Sequence, residues 1–390
     1  MKALLPDPVA ITMWDFSWLE RRWPGAGYED FDVALSELAE RGYDAVRIDA
    51  YPHLVAEDPD RTWELLPNWD QQDWGARSLC WVAPMPALLE FVQAARRHGV
   101  RVGLSSWFRE DRDNTRMLIR DPRDLAQVWL RTLEHLDRTG LLDTILYVDL
   151  CNEFCMPPCA PWIYSDRLLQ RLVRRREPVD VTLRTLLEPQ LSRTDPYVVS
   201  WMSESIGLLR EHYPGLPYTF SVCDELPTWR EQDVSMLDVM EPHIWMSSNE
   251  YSNFDQLVGY DYEAFSPQGY ENLVANARRT YEAESDRFDA ALFRSIDEVA
   301  DWSRATGLPL YTTECWAVTD WKDWPGLQWD WVMDVNAKGV EHAAATGRWA
   351  GIATSNHCGP QFVGMWREVE WHQRLTTLIK SSPMDADIGP

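Results

Sequence analysis

Short apolar runs alternate along this chain with stretches in which apolar residues recur at the spacing of a helix face. The run Ile11 to Trp18 (ITMWDFSW) predicts a first strand ending in a loop. Phe31, Ala34, Leu35 and Leu38 then fall on one helical face, with Gly42 as a stop, and Tyr43 to Tyr51 predicts a second strand. The segment MPALLEFVQAARRHG carries basic residues in its last turn and Gly99 at its end, which predicts a helix running into a third strand, Arg101 to Phe108. Asp121 and Pro122 suit an N-cap and first turn. They open a helix whose stripe is Leu125, Trp129, Leu133 and Leu136, and it leads into a fourth strand, ILYVDLCNEF.

Four further strands follow: YTFSVC, LDVMEPHIW, LPLYTTECW and WAGIATSNH. Eight strands separated mostly by helices predict an α/β fold, a parallel (β/α)8 TIM barrel with enlarged βα loops, because parallel strands need crossover connections of one hand. An open doubly wound sheet is the alternative, but the chain lacks the GxGxxG turn and the Walker lysine loop of nucleotide binders. The expected organisation is one barrel over residues 1–380, with insertions near 52–84, 155–198 and 246–290. An Arg-rich helix is expected within the second insertion, and 381–390 should form a loose tail.

Composition narrows the function. With 37 basic and 62 acidic residues the net charge is -25, the wrong sign for a nucleic-acid binder or for a protein of anionic membrane surfaces. No apolar run approaches the roughly 20 residues of a membrane span. The N-terminal segment does not read as a secretory signal, so a cytoplasmic location is expected. Seven scattered cysteines then read as free thiols. No H-E-x-x-H element or compact Asp/His set points to a metal, and no cofactor is expected.

In a barrel the side chains at the C-terminal ends of different strands converge on one face. That rule selects Asp15, Arg47, Asp49, Trp107, Asn152, Glu153, His243, Trp245, Glu314, Trp316, Asn356 and His357. Glu153 ends strand four and Glu314 ends strand seven, each among apolar neighbours whose desolvation raises a carboxyl pKa unless a cation opposes it. Two carboxyl groups converging from distant strands are what glycosidic bond cleavage requires, one to protonate the leaving oxygen and one to attack the anomeric carbon or activate water.

The pair LCNEF and YTTECW resembles the clan of retaining (β/α)8 glycoside hydrolases that includes cellulases, β-mannanases and β-galactosidases. The resemblance implies Glu153 as acid/base, Glu314 as nucleophile and Asn152 as a substrate contact. It also implies Arg47 of VRID as an arginine near the nucleophile, and His243 and Trp245 of PHIW as the counterpart of a His-x-aromatic element. Strand three places Trp107 where cellulases carry a histidine. Strand eight ends in Asn356 and His357 where they often present a tryptophan. The chain therefore looks like a divergent, sugar-binding cellulase-like branch.

The expected function is retaining hydrolysis of a small glycoside or oligosaccharide, with a sugar-binding protein of weak or no hydrolytic activity as the alternative. Arg47 is expected to lower the pKa of Glu314. Asp49 could bind a sugar hydroxyl or pair with Arg47. Trp63, Trp69, Trp74 and Trp81, and Trp316, Trp321, Trp324, Trp329 and Trp331, lie in or near loops, where they could stack on sugar or pack the loops. The large insertions are also compatible with a homo-oligomer.

Overall fold

The computed structural model describes residues 7–67, 73–164, 191–223, 226–260 and 266–388. Its strands are β1 (Val9–Asp15), β2 (Ala45–Asp49), β3 (Trp63–Leu65), β4 (Cys80–Val82), β5 (Arg101–Ser105), β6 (Ile145–Asp149), β7 (Tyr218–Thr219), β8 (Ile244–Trp245), β9 (Leu310–Thr312), β10 (Cys315–Trp316) and β11 (Trp349–Ala353). The main helices are α1 (Phe31–Glu40), α2 (Pro84–Arg97), α3 (Pro122–Arg138), α4 (Pro196–His212), α5 (Ser285–Thr306), α6 (Asp330–Ala345) and α7 (Val369–Ser381).

Seven parallel strands run in the order β7-β6-β5-β2-β1-β11-β9. Every residue of β1, β2, β6 and β11 is buried, as expected for strands covered on both faces. The predicted sixth strand closes the curl. Met240 bridges Leu310 and Pro242 bridges Val222, the His243 N–H donates to Val222 O at 2.7 Å, and β8 pairs in parallel with β10. Only its last two residues form a regular strand, because Pro242 has no N–H to give to the ladder. The result is a near-closed (β/α)8 barrel.

The helices form for the reasons visible in the sequence. Asp121 accepts the N–H groups of Arg123 and Asp124, and Leu125, Trp129, Leu133 and Leu136 face inward. On α1 the buried residues are Phe31, Ala34, Leu35 and Leu38. Inside the barrel, Tyr147 and Tyr311 stack with ring centroids 5.4 Å apart. They fit only because two neighbours are glycines: a β-carbon on Gly103 would lie 2.7 Å from Tyr147, and one on Gly351 only 1.7 Å from Tyr311.

After β2 the chain makes an antiparallel hairpin, β3 with β4. Most of the expected Arg-rich helix, and Trp69, lie outside the described residues. Residues 381–388, read as a tail, run along the barrel. There Asp387 takes two hydrogen bonds from the buried Arg348, at 2.7 and 2.8 Å, and Ile388 is buried. No disulfide joins the cysteines. Among the described residues no helix is long and apolar enough to cross a membrane.

Candidate active site

Arg47 on β2 is the hub of the site. Its side chain is completely buried, and all of its nitrogens are engaged. Nε and Nη2 each donate to Asp15 at 3.0 Å. Nη2 also reaches Asn152 Oδ1 at 2.6 Å and Glu314 Oε1 at 2.7 Å. Nη1 donates to Thr313 Oγ1 at 2.8 Å, His243 Nε2 at 3.1 Å and Glu241 Oε1 at 3.2 Å. One cation therefore stands among three carboxyl groups, an arrangement that planar guanidinium geometry suits.

His243 links the two glutamates. A guanidinium only donates, so Nε2 of His243 accepts from Arg47 and the ring proton sits on Nδ1. Nδ1 is 3.0 Å from Glu153 Oε1 and 3.6 Å from Glu314 Oε1. Burial keeps the imidazole pKa below its ordinary value, although Glu314 opposes the shift, which agrees with a neutral ring. One carboxylate oxygen from each glutamate and one nitrogen of His243 all lie within 4.8 Å of one another. Among the described residues these three side chains are the group that could approach a metal ion, but an ion would have to displace a bond that His243 already makes.

Backbone geometry at the strand ends aims these side chains. Asp15, at φ 36, and Glu153, at φ 46, both occupy the left-handed region, which non-glycine residues adopt only where the surroundings hold them. For Glu153 the holder is visible. Its N–H donates to Ser221 Oγ at 2.8 Å, and Ser221 Oγ in turn donates to Asp149 at 2.8 Å. Glu314 lies in the break between β9 and β10, where its carbonyl still accepts the Ile244 N–H at 3.2 Å.

The carboxyl of Glu314 is pushed up to about 8 by burial, with Glu153 and Asp15 adding to the shift and His243 and Arg47 opposing it. Arg47 lowers this pKa, as expected, but burial outweighs its pull, and its single charge is shared with Asp15 and Glu241. At neutral pH the two glutamates together retain a proton, which belongs to the pair rather than to either residue.

Other expected site residues separate. Trp245 lies beside His243, with ring centroids 5.9 Å apart. Asn356 donates its N–H to Cys315 O at 2.9 Å, next to Glu314. His357 packs 5.0 Å from Phe362 and 5.7 Å from Trp329, and neither ring nitrogen has a partner. Trp107 donates its indole N–H to Asp15.

Two assignments change. Asp49 does not pair with Arg47 and is not open to a sugar: its oxygens accept the backbone N–H groups of Tyr51 and Trp107, both at 2.7 Å. Trp316 is fully buried, donating to Ala353 O at 2.8 Å and packing on Trp349 and Gly339. Among the described residues most of these loop tryptophans are buried, and Trp81 is exposed, at 64%. Asp15, selected from the end of the first strand, joins the site through Arg47, whereas Glu241 and Thr313 belong to it although nothing in the strand-end pattern selects them. Glu241 could have been found from His243, since residues two apart on a strand share a face.

The chain matches the family model described as sugar-binding cellulase-like over residues 11–380. A crystal structure from Parabacteroides distasonis, of a protein provisionally named a glycoside hydrolase, shares 45% identity and a TM-score of 0.90, covering 98% of this chain and 96% of that one. At fold level the chain is similar to GH5_18 from Bifidobacterium longum subsp. longum, with 14% identity, a TM-score of 0.53 and coverage of 98% and 85%. The endo-β-1,4-mannanase from Thermotoga petrophila is similar at 10% identity, a TM-score of 0.52 and coverage of 97% and 78%. No curated protein matches the sequence. The chain belongs to the sugar-binding cellulase-like family.

Proposed function

We propose that the protein cleaves a small glycoside or oligosaccharide by double displacement, with Glu153 as acid/base and Glu314 as nucleophile. The observation that carries this reading is the approach of their carboxylate oxygens to within 4.8 Å. Retaining enzymes hold the two carboxyl groups about 5 to 5.5 Å apart, whereas inverting ones leave about 6.5 to 9.5 Å for a water.

The charge state supports the same roles. A pair that keeps one proton at neutral pH supplies one acid and one anion, and the direct bond from Arg47 favours the anion on Glu314. Glu314 attacks the anomeric carbon while Glu153 gives its proton to the departing glycosidic oxygen. In the second step Glu153 takes a proton from water as that water displaces Glu314. The two glutamates are only 8% and 5% exposed, which favours a narrow pocket and a small substrate over a long open cleft. Asn152 Nδ2, Trp245 Nε1 and Asn356 Oδ1 are buried without partners. In a buried site such groups are offers to sugar hydroxyls.

A panel of aryl glycosides and oligosaccharides with anomeric product analysis tests this reading. Net retention is expected. Glu314→Gln should abolish turnover, and Glu153→Gln should lower it by about 10²- to 10⁴-fold on unactivated substrates while sparing aryl glycosides with good leaving groups. Near-full turnover by either variant on an unactivated substrate would sink the assignment. The family's description as sugar-binding favours a second reading, in which sugar binds saturably and no product is released.

A further inference from the structure

One member of the charge cluster around Arg47 has no part in the proposed reaction. Glu241 is completely buried. Its Oε1 accepts Thr313 Oγ1 at 2.7 Å, the Tyr147 hydroxyl at 3.1 Å and Arg47 Nη1 at 3.2 Å, while Oε2 has no partner. Three donors converging on one oxygen suit an ionised carboxylate. Burial pushes the Glu241 carboxyl up, and Arg47 pulls it back.

Arg47 bonds Glu241 through Nη1 and Glu314 through Nη2, so the two carboxyl groups compete for one cation. We infer that Glu241 is a positioning residue whose negative charge offsets part of the field of Arg47 at Glu314, and so keeps one proton on the Glu153/Glu314 pair. The inference rests on the reading of that pair as the acting groups. Without this counter-charge, Arg47 would hold Glu314 more firmly as an anion, and the pair would release its proton at lower pH. Glu153 would then lose the proton it must donate.

The titratable and charged groups facing this cluster come from every wall: Asp15 on β1, Arg47 on β2, Tyr147 and Asp149 on β6, Glu153 beyond β6, His243 beside Glu241, and Glu314 between β9 and β10. Asp149 accepts hydrogen bonds from Ser105 and Ser221. Glu241 is thus the carboxyl that meets Arg47 on the nitrogen opposite Glu314.

Glu241→Gln preserves volume and an acceptor for Thr313, Tyr147 and Arg47 while removing the charge. The basic limb of kcat/KM should move to lower pH by about half to one unit, a fall in proton affinity of about three- to tenfold. Glu241→Asp, which keeps the charge, should return the limb toward the wild-type position. A limb that stays in place in Glu241→Gln while kcat or Tm falls would overturn the inference, because a purely structural role predicts that result. Carboxyl-carbon NMR of the wild-type protein labelled at glutamate makes the test independent of both folding of the variant and turnover. Glu241 should be ionised at about pH 7, and finding it protonated there would overturn the inference. If the wild type hydrolyses no glycoside, the hydrolase reading fails in the substrate panel while this titration still decides the role of Glu241.

Discussion

Arg47 Nη2 stands 2.7 Å from Glu314 Oε1, yet the Glu314 carboxyl is raised to about 8. A lone ion pair this short would pull a carboxylate pKa down. It fails to here because burial penalises the anion and because the same guanidinium also serves Asp15 and Glu241.

Activity should therefore decline on the alkaline side near pH 8, as the pair loses its last proton and Glu153 has none to donate. A kcat/KM profile on an unactivated glycoside measures this directly. In Glu153→Gln, assayed on an aryl glycoside with a good leaving group, the alkaline limb should vanish because the first step no longer needs the acid. Persistence of the limb would assign it to another group.

The same burial makes stability depend on pH. Asp49 is raised to about 7, chiefly by burial, and Glu314 to about 8. Between about pH 4 and these values the unfolded chain is ionised at both positions while the folded protein still holds the protons, so stability falls as pH rises. Each such group contributes a slope on the order of 1.4 kcal/mol per pH unit. Thermal or urea melts from pH 5 to 7 should show stability falling through that window, and Asp49→Asn should flatten the slope even if it lowers stability throughout. An unchanged slope in Asp49→Asn would show that Asp49 is ionised in the fold.

The legible part of the site was the part that ends apolar runs. Arg47, Asn152, Glu153, His243 and Glu314 each follow or interrupt a buried strand where the barrel rule places functional groups, and the structure brings all five together. Glu241 and Thr313 lie within apolar runs, where a polar residue reads as an interruption rather than a site. Asp49 looked able to reach Arg47 because it lies two positions along the same strand, but it is Asp15 on the neighbouring β1 that forms the paired bonds. Trp316 was selected by an alternation counted through Thr313 and Glu314, where strand seven divides.

Packing inside the barrel gives a sharp test of the fold. Gly351→Ala would place a methyl 1.7 Å from Tyr311 Cδ1, deep between strands that cannot easily separate. Overpacking of this kind costs about 1 to 3 kcal/mol or more. The double variant Gly351→Ala with Tyr311→Leu should recover part of that loss, since the clash requires the ring. Urea denaturation of the four proteins in a double-mutant cycle should give a favourable coupling. Additive losses would place Tyr311 away from Gly351.

The end of the chain should matter to stability, although it reads as a loose tail. Arg348 is completely buried. Besides Asp387 it bonds the Ser303 hydroxyl at 2.9 Å and the Ser303 carbonyl at 3.1 Å, and the Asp385 N–H donates to Gly347 O at 2.9 Å. Removing residues 383–390 would leave a buried guanidinium without its carboxylate, which is the destabilising way to break such a pair. It would also uncover the surface now shielded by Ile388. Asp387→Ala should cost less than the truncation, because its carboxylate is solvent-exposed and other groups hold the segment in place. Thermal melts of the wild type, Asp387→Ala and the truncated chain should rank Tm in that descending order, and a truncated chain melting with the wild type would show that the tail carries no load.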